Sequence, residues 1–99
     1  MKTHTEAVHF TADQKLLVYI EKKLLKLQQF FDNIIDANVI LKLENVGQVK
    51  DKVAEIKIHL PGSTIFAKES NRSFEVAVDD AVESLRKQLI KYKERKHID

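Results

Sequence analysis

Between Ser84 and Lys96 the chain carries Arg86, Lys87, Lys91, Lys93, Arg95 and Lys96 against one acid, Glu94, a local charge of +5. Long flexible cations at that density suit the neutralisation of phosphates, which releases condensed counterions and reads no base sequence. A second cluster, Lys15, Lys22, Lys23 and Lys26 against Glu21, adds +3. The whole 99-residue chain is only +2, so everything else sums to −6. Positive charge gathered into two segments implies a polyanionic partner more strongly than the net charge does.

The spacing of these cations places them on helices. Lys15, Tyr19, Lys22 and Lys26 follow i, i+4, i+7, i+11, beside an apolar face. Lys87, Lys91 and Arg95 follow i, i+4, i+8, and Arg86 and Lys93, seven apart, form a second edge. One such stripe can simply solvate a helix exterior. Two on neighbouring helices, with the acids placed elsewhere, favour contact with nucleic acid. Tyr19 lies within the first stripe and could stack on a base, although packing is the preferred reading. Tyr92 falls on an apolar stripe, with its hydroxyl expected at the edge.

Other chemistry finds little support. His4, His9, His59 and His97 sit in different elements without the convergent spacing that metal binding needs. Asp79 and Asp80 are adjacent, but on a helix they point about 100° apart and cannot share a proton as a catalytic dyad does. As acids in the first turns they favour the helix dipole instead. With only Gly47 and Gly62, no glycine-rich phosphate loop can form. The absence of cysteine removes disulfides and thiol nucleophiles. No catalytic residue, metal ligand, cofactor or small-molecule substrate is assigned, and no enzyme activity is expected.

The elements that must carry the cations follow from periodicity. Met1 to Phe10 alternates weakly and gives a short first strand. Thr11-Ala12-Asp13-Gln14 fits a capping box with Thr11 as the cap. A helix then runs to about Phe31 with Leu16, Ile20, Leu24, Leu27 and Phe31 on one face. Ala37 to Glu44 reads as a strand, Asn45 to Asp51 as a loop rather than a tight turn, and Val53 to Leu60 as a strand with Ile56, Ile58 and Leu60 on one side. Pro61-Gly62 marks a turn into a strand over Ser63 to Glu69. Ser73 caps a final helix to Lys96, whose stripe is Phe74, Val78, Ala81, Val82, Leu85, Leu89 and Tyr92.

The fold class expected is α+β, in the order β-α-β-β-β-α. It is a four-stranded mixed sheet with two helices packed on one face, in the manner of double-stranded-RNA-binding domains. The other face is left to solvent. The first helix is a crossover between parallel strands, right-handed as such connections are. Residues 1–99 form a single domain. With 43% hydrophobic and 32% charged residues the composition is that of a globular chain. No apolar run reaches the ~18 residues of a membrane span, and no signal-peptide pattern opens the chain.

In these residues the chain resembles the ribosome hibernation-promoting factors, the YfiA/RaiA group. The resemblance lies in the element order, in Leu24-Leu25-Lys26-Leu27-Gln28-Gln29-Phe30-Phe31-Asp32 and in Val39-Ile40-Leu41-Lys42-Leu43-Glu44. It continues through His59-Leu60-Pro61-Gly62, Phe66-Ala67, Ser73 to Asp79 and Leu85 to Arg95, almost the whole chain. It is to the short form of the family, without the extension by which long forms dimerise. The resemblance implies a cytoplasmic translation inhibitor, monomeric when free, that binds the small ribosomal subunit over the decoding region and excludes tRNA and messenger during starvation or stationary phase. The rRNA-binding residues it and the stripes imply are Lys22, Lys23, Lys26, Arg86, Lys87, Lys91, Lys93 and Arg95. Asp79 matches a recurrent family acid, for which a structural role is expected.

Two alternatives stand beside this one. A stand-alone double-stranded-RNA-binding module shares the α-β-β-β-α portion but lacks the leading strand. A protein-interaction domain modulating transcription or sigma-factor activity would use the cations as a docking patch.

Overall fold

The computed structural model describes residues 1–46 and 49–97. The elements are β1 (Lys2–Ala7), α1 (Gln14–Phe30), β2 (Asp36–Val46), β3 (Val49–Leu60), β4 (Ser63–Asn71) and α2 (Phe74–His97). The four strands lie side by side in chain order. β1 runs parallel to β2, while β2, β3 and β4 are antiparallel, so the sheet is mixed as expected.

The two-residue period of the strands sorts their side chains onto two faces. Ala37, Val39 and Leu41 of β2, Ala54, Ile56, Ile58 and Leu60 of β3, and Ile65 and Ala67 of β4 are all buried. Against them lie Leu16, Ile20, Leu24, Leu27 and Phe31 of the first helical stripe, and Phe74, Val78, Ala81, Leu85 and Leu89 of the second. Both helices therefore cover one face. Val82 and Tyr92 are only partly buried, and Ala77, outside the expected stripe, is fully buried. The opposite face carries interleaved charges. Lys42 pairs with Glu55 at 2.5 Å and Glu44 at 3.4 Å, and Lys68 with Glu44 at 3.3 Å. Val53, between Lys42 and Ser70 in the ladder, is fully buried on this polar side.

Three boundaries differ from the sequence expectation. Asp13, not Thr11, caps α1: its carboxylate accepts from the Leu16 amide at 2.8 Å, and its carbonyl accepts from Leu17. Asp is at least as good a cap as Thr, and it stands next to the first helical residue. β1 ends at Ala7 instead of reaching Phe10. There His9 takes a left-handed φ of 64°, which turns Phe10 into a stack on Phe74 with ring centroids 5.0 Å apart. Burial of two aromatic rings offsets the strain of that backbone. Finally, residues 45–46 and 49–51, expected in a loop, are strand. Asn45 pairs with Lys50 and Glu44 with Asp51, because the ladder continues wherever its hydrogen bonds can be made. Gly47 and Gln48 lie outside the described residues.

Two expected signals appear where they were placed. The Ser73 hydroxyl accepts from the Val76 amide at 3.2 Å, capping α2. At Pro61-Gly62, Leu60 pairs with Ser63, and Gly62 has φ 72°, the conformation a type II turn requires after proline.

Candidate nucleic-acid interface

α1 and α2 lie side by side with the same chain direction, as their contacts show at both ends. Near the helix starts, the Tyr19 hydroxyl donates to Asp79 at 2.5 Å and Lys23 Nζ lies 3.1 Å from the same carboxylate. Near the helix ends, Phe31 packs edge-on against Tyr92, and Lys93 Nζ donates to the Phe30 carbonyl at 3.3 Å. The Lys93 ammonium also sits 4.6 Å from the Phe30 ring centroid. Tyr92 in turn donates its hydroxyl to the Pro61 carbonyl at 2.8 Å, so its hydroxyl is at the core's edge as expected.

This seam divides the eight expected binding residues. Lys23, Arg86 and Lys93 are engaged within the protein. The Asp79 carboxylate raises the Lys23 pKa above its usual value by hydrogen bonding, and Lys23 is half-buried. Arg86 reaches back one turn to Glu83 in a two-point contact at 2.9 and 3.3 Å. That contact lowers the Glu83 pKa and raises the Arg86 pKa, in each case chiefly through the hydrogen bond. Exposed pairs of this kind are screened by water and add little net stability, so a phosphate could recruit the arginine. Lys22, Lys26, Lys87, Lys91 and Arg95 are exposed, and among the described residues none forms an ion pair with an acid, although Lys87 lies close enough to Glu83 to help lower its pKa.

The two stripes do not share one edge. With about 100° per residue, Lys22 and Lys26 point outward beside the seam, and Lys87 points outward from α2. Lys91 and Arg95 turn to the far flank, where with Ser63, Ile65, Gln88 and Tyr92 they line a groove against β4. Gln88 anchors that flank by donating to the Phe66 carbonyl at 2.9 Å. No local signal in the sequence marks Ser63 or Gln88 as groove residues, because the groove exists only when β4 and α2 meet. Tyr19 is half-buried and spent on Asp79, which answers its position in the cationic stripe with packing. Asp79 is structural, as expected, but its bonds cross between helices.

Fold and charge together define a small α+β domain with a cationic helix layer over a sheet whose outer face mixes both signs. The chain belongs to the family described as Sigma 54 modulation protein / S30EA ribosomal protein, whose model matches residues 3–97. Among curated relatives, the ribosome hibernation promoting factor of Klebsiella oxytoca is 32% identical over 77 residues, covering 78% of this chain and 77% of that one. The ribosome hibernation promotion factor of Deinococcus radiodurans is 35% identical over 79 residues, 78% of this chain but 41% of that longer protein. Among solved structures, a ribosomal subunit interface protein from Coxiella burnetii superposes with a TM-score of 0.84 at 28% identity, over 95% of this chain and 99% of that one. The N-terminal domain of Thermus thermophilus Protein Y gives 0.78 at 26% identity, over 93% and 99%.

Proposed function

We propose that this chain is a ribosome-bound translation silencer that acts by occlusion. The compact body occupies the decoding region of the small subunit, in the path of tRNA and messenger, while helix cations hold rRNA phosphates. Residues 1–99 act as one cytoplasmic domain that performs no chemistry. The observation that carries this reading is the set of exposed cations that form no ion pair among the described residues, Lys22, Lys26, Lys87, Lys91 and Arg95, on a helix layer supported by a closed core. Lys23, Arg86 and Lys93 join them by exchanging weak internal contacts for phosphate. The ribosomal relatives support the choice of polyanion.

The test is co-sedimentation with ribosomes of the Lys87→Glu/Lys91→Glu variant. Loss of the ribosome peak with a nearly unchanged thermal midpoint is expected, since both side chains are exposed and neither forms an ion pair among the described residues. Retention at moderate salt would reject the mechanism. The family description also carries a sigma-54 modulation activity. Binding that survives ribonuclease treatment would favour that reading instead.

A further inference from the structure

Among the described residues two phenylalanine rings are exposed, Phe30 at 37% and Phe66 at 46%. A lone exposed apolar side chain signals nothing by itself, but the surroundings of these two differ. Phe66 lies on the outer sheet face, in a groove shared by Glu55 and Lys57, so the charge around it is mixed. Phe30 ends α1 at the seam, among cations. The Lys93 ammonium lies 4.6 Å from its ring centroid and donates to its carbonyl at 3.3 Å, which holds the cation against the ring. Lys26, one turn earlier on α1, is exposed. Neither lysine forms an ion pair with an acid among the described residues.

The sequence explains why this ring is outside. Phe30 and Phe31 are adjacent, and a helix turns about 100° between neighbours, so only one of them can join the buried stripe. Phe31 does, meeting Tyr92 edge-on. Tyr19, the ring that the cationic stripe offered for stacking, is half-buried with its hydroxyl on Asp79. The ring left open among the helix cations is therefore Phe30. We infer that Phe30 is a stacking platform for an unpaired nucleobase, with Lys26 and Lys93 taking the phosphates on either side of it. Every base has a π-face, so stacking on an aromatic ring tolerates any base. The ammonium against the ring adds a cation–π contact and attracts the RNA backbone. Bases inside a duplex are already stacked on one another, so the ligand is a single-stranded or extruded nucleotide. The inference rests on the ribosomal reading above and adds to it a contact that is not electrostatic. Salt therefore separates the two: it weakens phosphate contacts and leaves stacking in place.

Binding of the full chain to small subunits over a salt series tests it. Phe30→Leu keeps an apolar side chain and removes the ring. It should weaken binding about tenfold while the slope of log affinity against log salt stays unchanged. Phe30→Tyr keeps the ring and should bind as the wild type does, an outcome that a folding defect cannot mimic. Lys26→Gln should instead flatten the slope by about 0.7–0.9, the value for one lost phosphate contact. The chain has no tryptophan, so Phe30→Trp places a single indole at the platform. Its fluorescence should be quenched by single-stranded oligoadenylate and not by a blunt RNA duplex with the same number of phosphates. Wild-type affinity in Phe30→Leu would overturn the platform. So would an indole that the single strand leaves unquenched, or that the duplex quenches equally. If any of these accompanies loss of binding in Lys87→Glu/Lys91→Glu, the cationic mechanism stands and only the stacking contact is removed.

Discussion

The hydroxyl of Tyr19 and the carboxylate of Asp79, sixty positions apart in sequence, meet at 2.5 Å across the seam between the two helices. Lys23 closes on the same carboxylate from the next turn of α1. One acid thus fixes the two helices side by side and consumes one of the cations nearest the seam. Asp79, in the opening turns of α2, acts as a clasp that sets how the cationic layer is presented.

Removal of the clasp should cost stability and change tyrosine titration. The Asp79 hydrogen bond is the leading cause that pushes the Tyr19 pKa above its usual value, with desolvation adding to it. A raised folded-state pKa favours the protonated form, so the stabilisation is complete below the ordinary tyrosine range and disappears as pH rises through the folded value. The raised Lys23 pKa has the same sign. Tyr19→Phe should lower stability by about 1 kcal/mol near neutral pH, with the deficit vanishing in alkali. Urea midpoints across pH and ultraviolet titration of the phenols measure this. A deficit that grows with pH would be the wrong sign.

Release of Arg86 should strengthen ribosome binding. Glu83→Gln removes the two-point partner of Arg86 and leaves both side chains exposed. Arg86 already leaves Glu83 for phosphate in the proposed complex, so removing that competitor should raise affinity with little change of salt slope. Arg86→Gln, by contrast, should flatten the slope of log affinity against log salt by about 0.7–0.9, the value for one lost phosphate contact. Filter binding of both variants to small subunits over a salt series measures this. An unchanged slope in Arg86→Gln would remove Arg86 from the contact set.

The core and the Pro61-Gly62 turn should respond through different physics. Leu85 is fully buried, and Leu85→Ala should cost about 2–5 kcal/mol through lost transfer energy and a cavity. At Gly62 an added Cβ meets nothing within 4 Å, yet φ is 72°. Gly62→Ala should therefore cost only about 1–2 kcal/mol, all of it backbone strain. Chemical denaturation of the two variants separates these costs, and equal losses would mean the turn is packed more tightly than it is drawn.

What the sequence determined by itself is everything set by periodicity and short-range chemistry. The stripes Leu16-Ile20-Leu24-Leu27-Phe31 and Phe74-Val78-Ala81-Leu85-Leu89 repeat at the helical period because one face must be buried. Ile56, Ile58 and Leu60 alternate for the same reason at the strand period, and Ser73 and Pro61-Gly62 act on their immediate neighbours. The positions of the cations along each helix were equally legible. Only the tertiary structure decided their states. Lys23 is tied because Asp79 arrives from another helix, Lys93 because the end of α1 presents the Phe30 carbonyl and ring, and Lys91 and Arg95 face a groove because β4 passes beside α2. Pairing of Asn45 with Lys50 and burial of Val53 likewise depend on neighbouring strands. A charge's sign is local to its residue, but its partner is chosen by long-range packing that brings distant residues within reach.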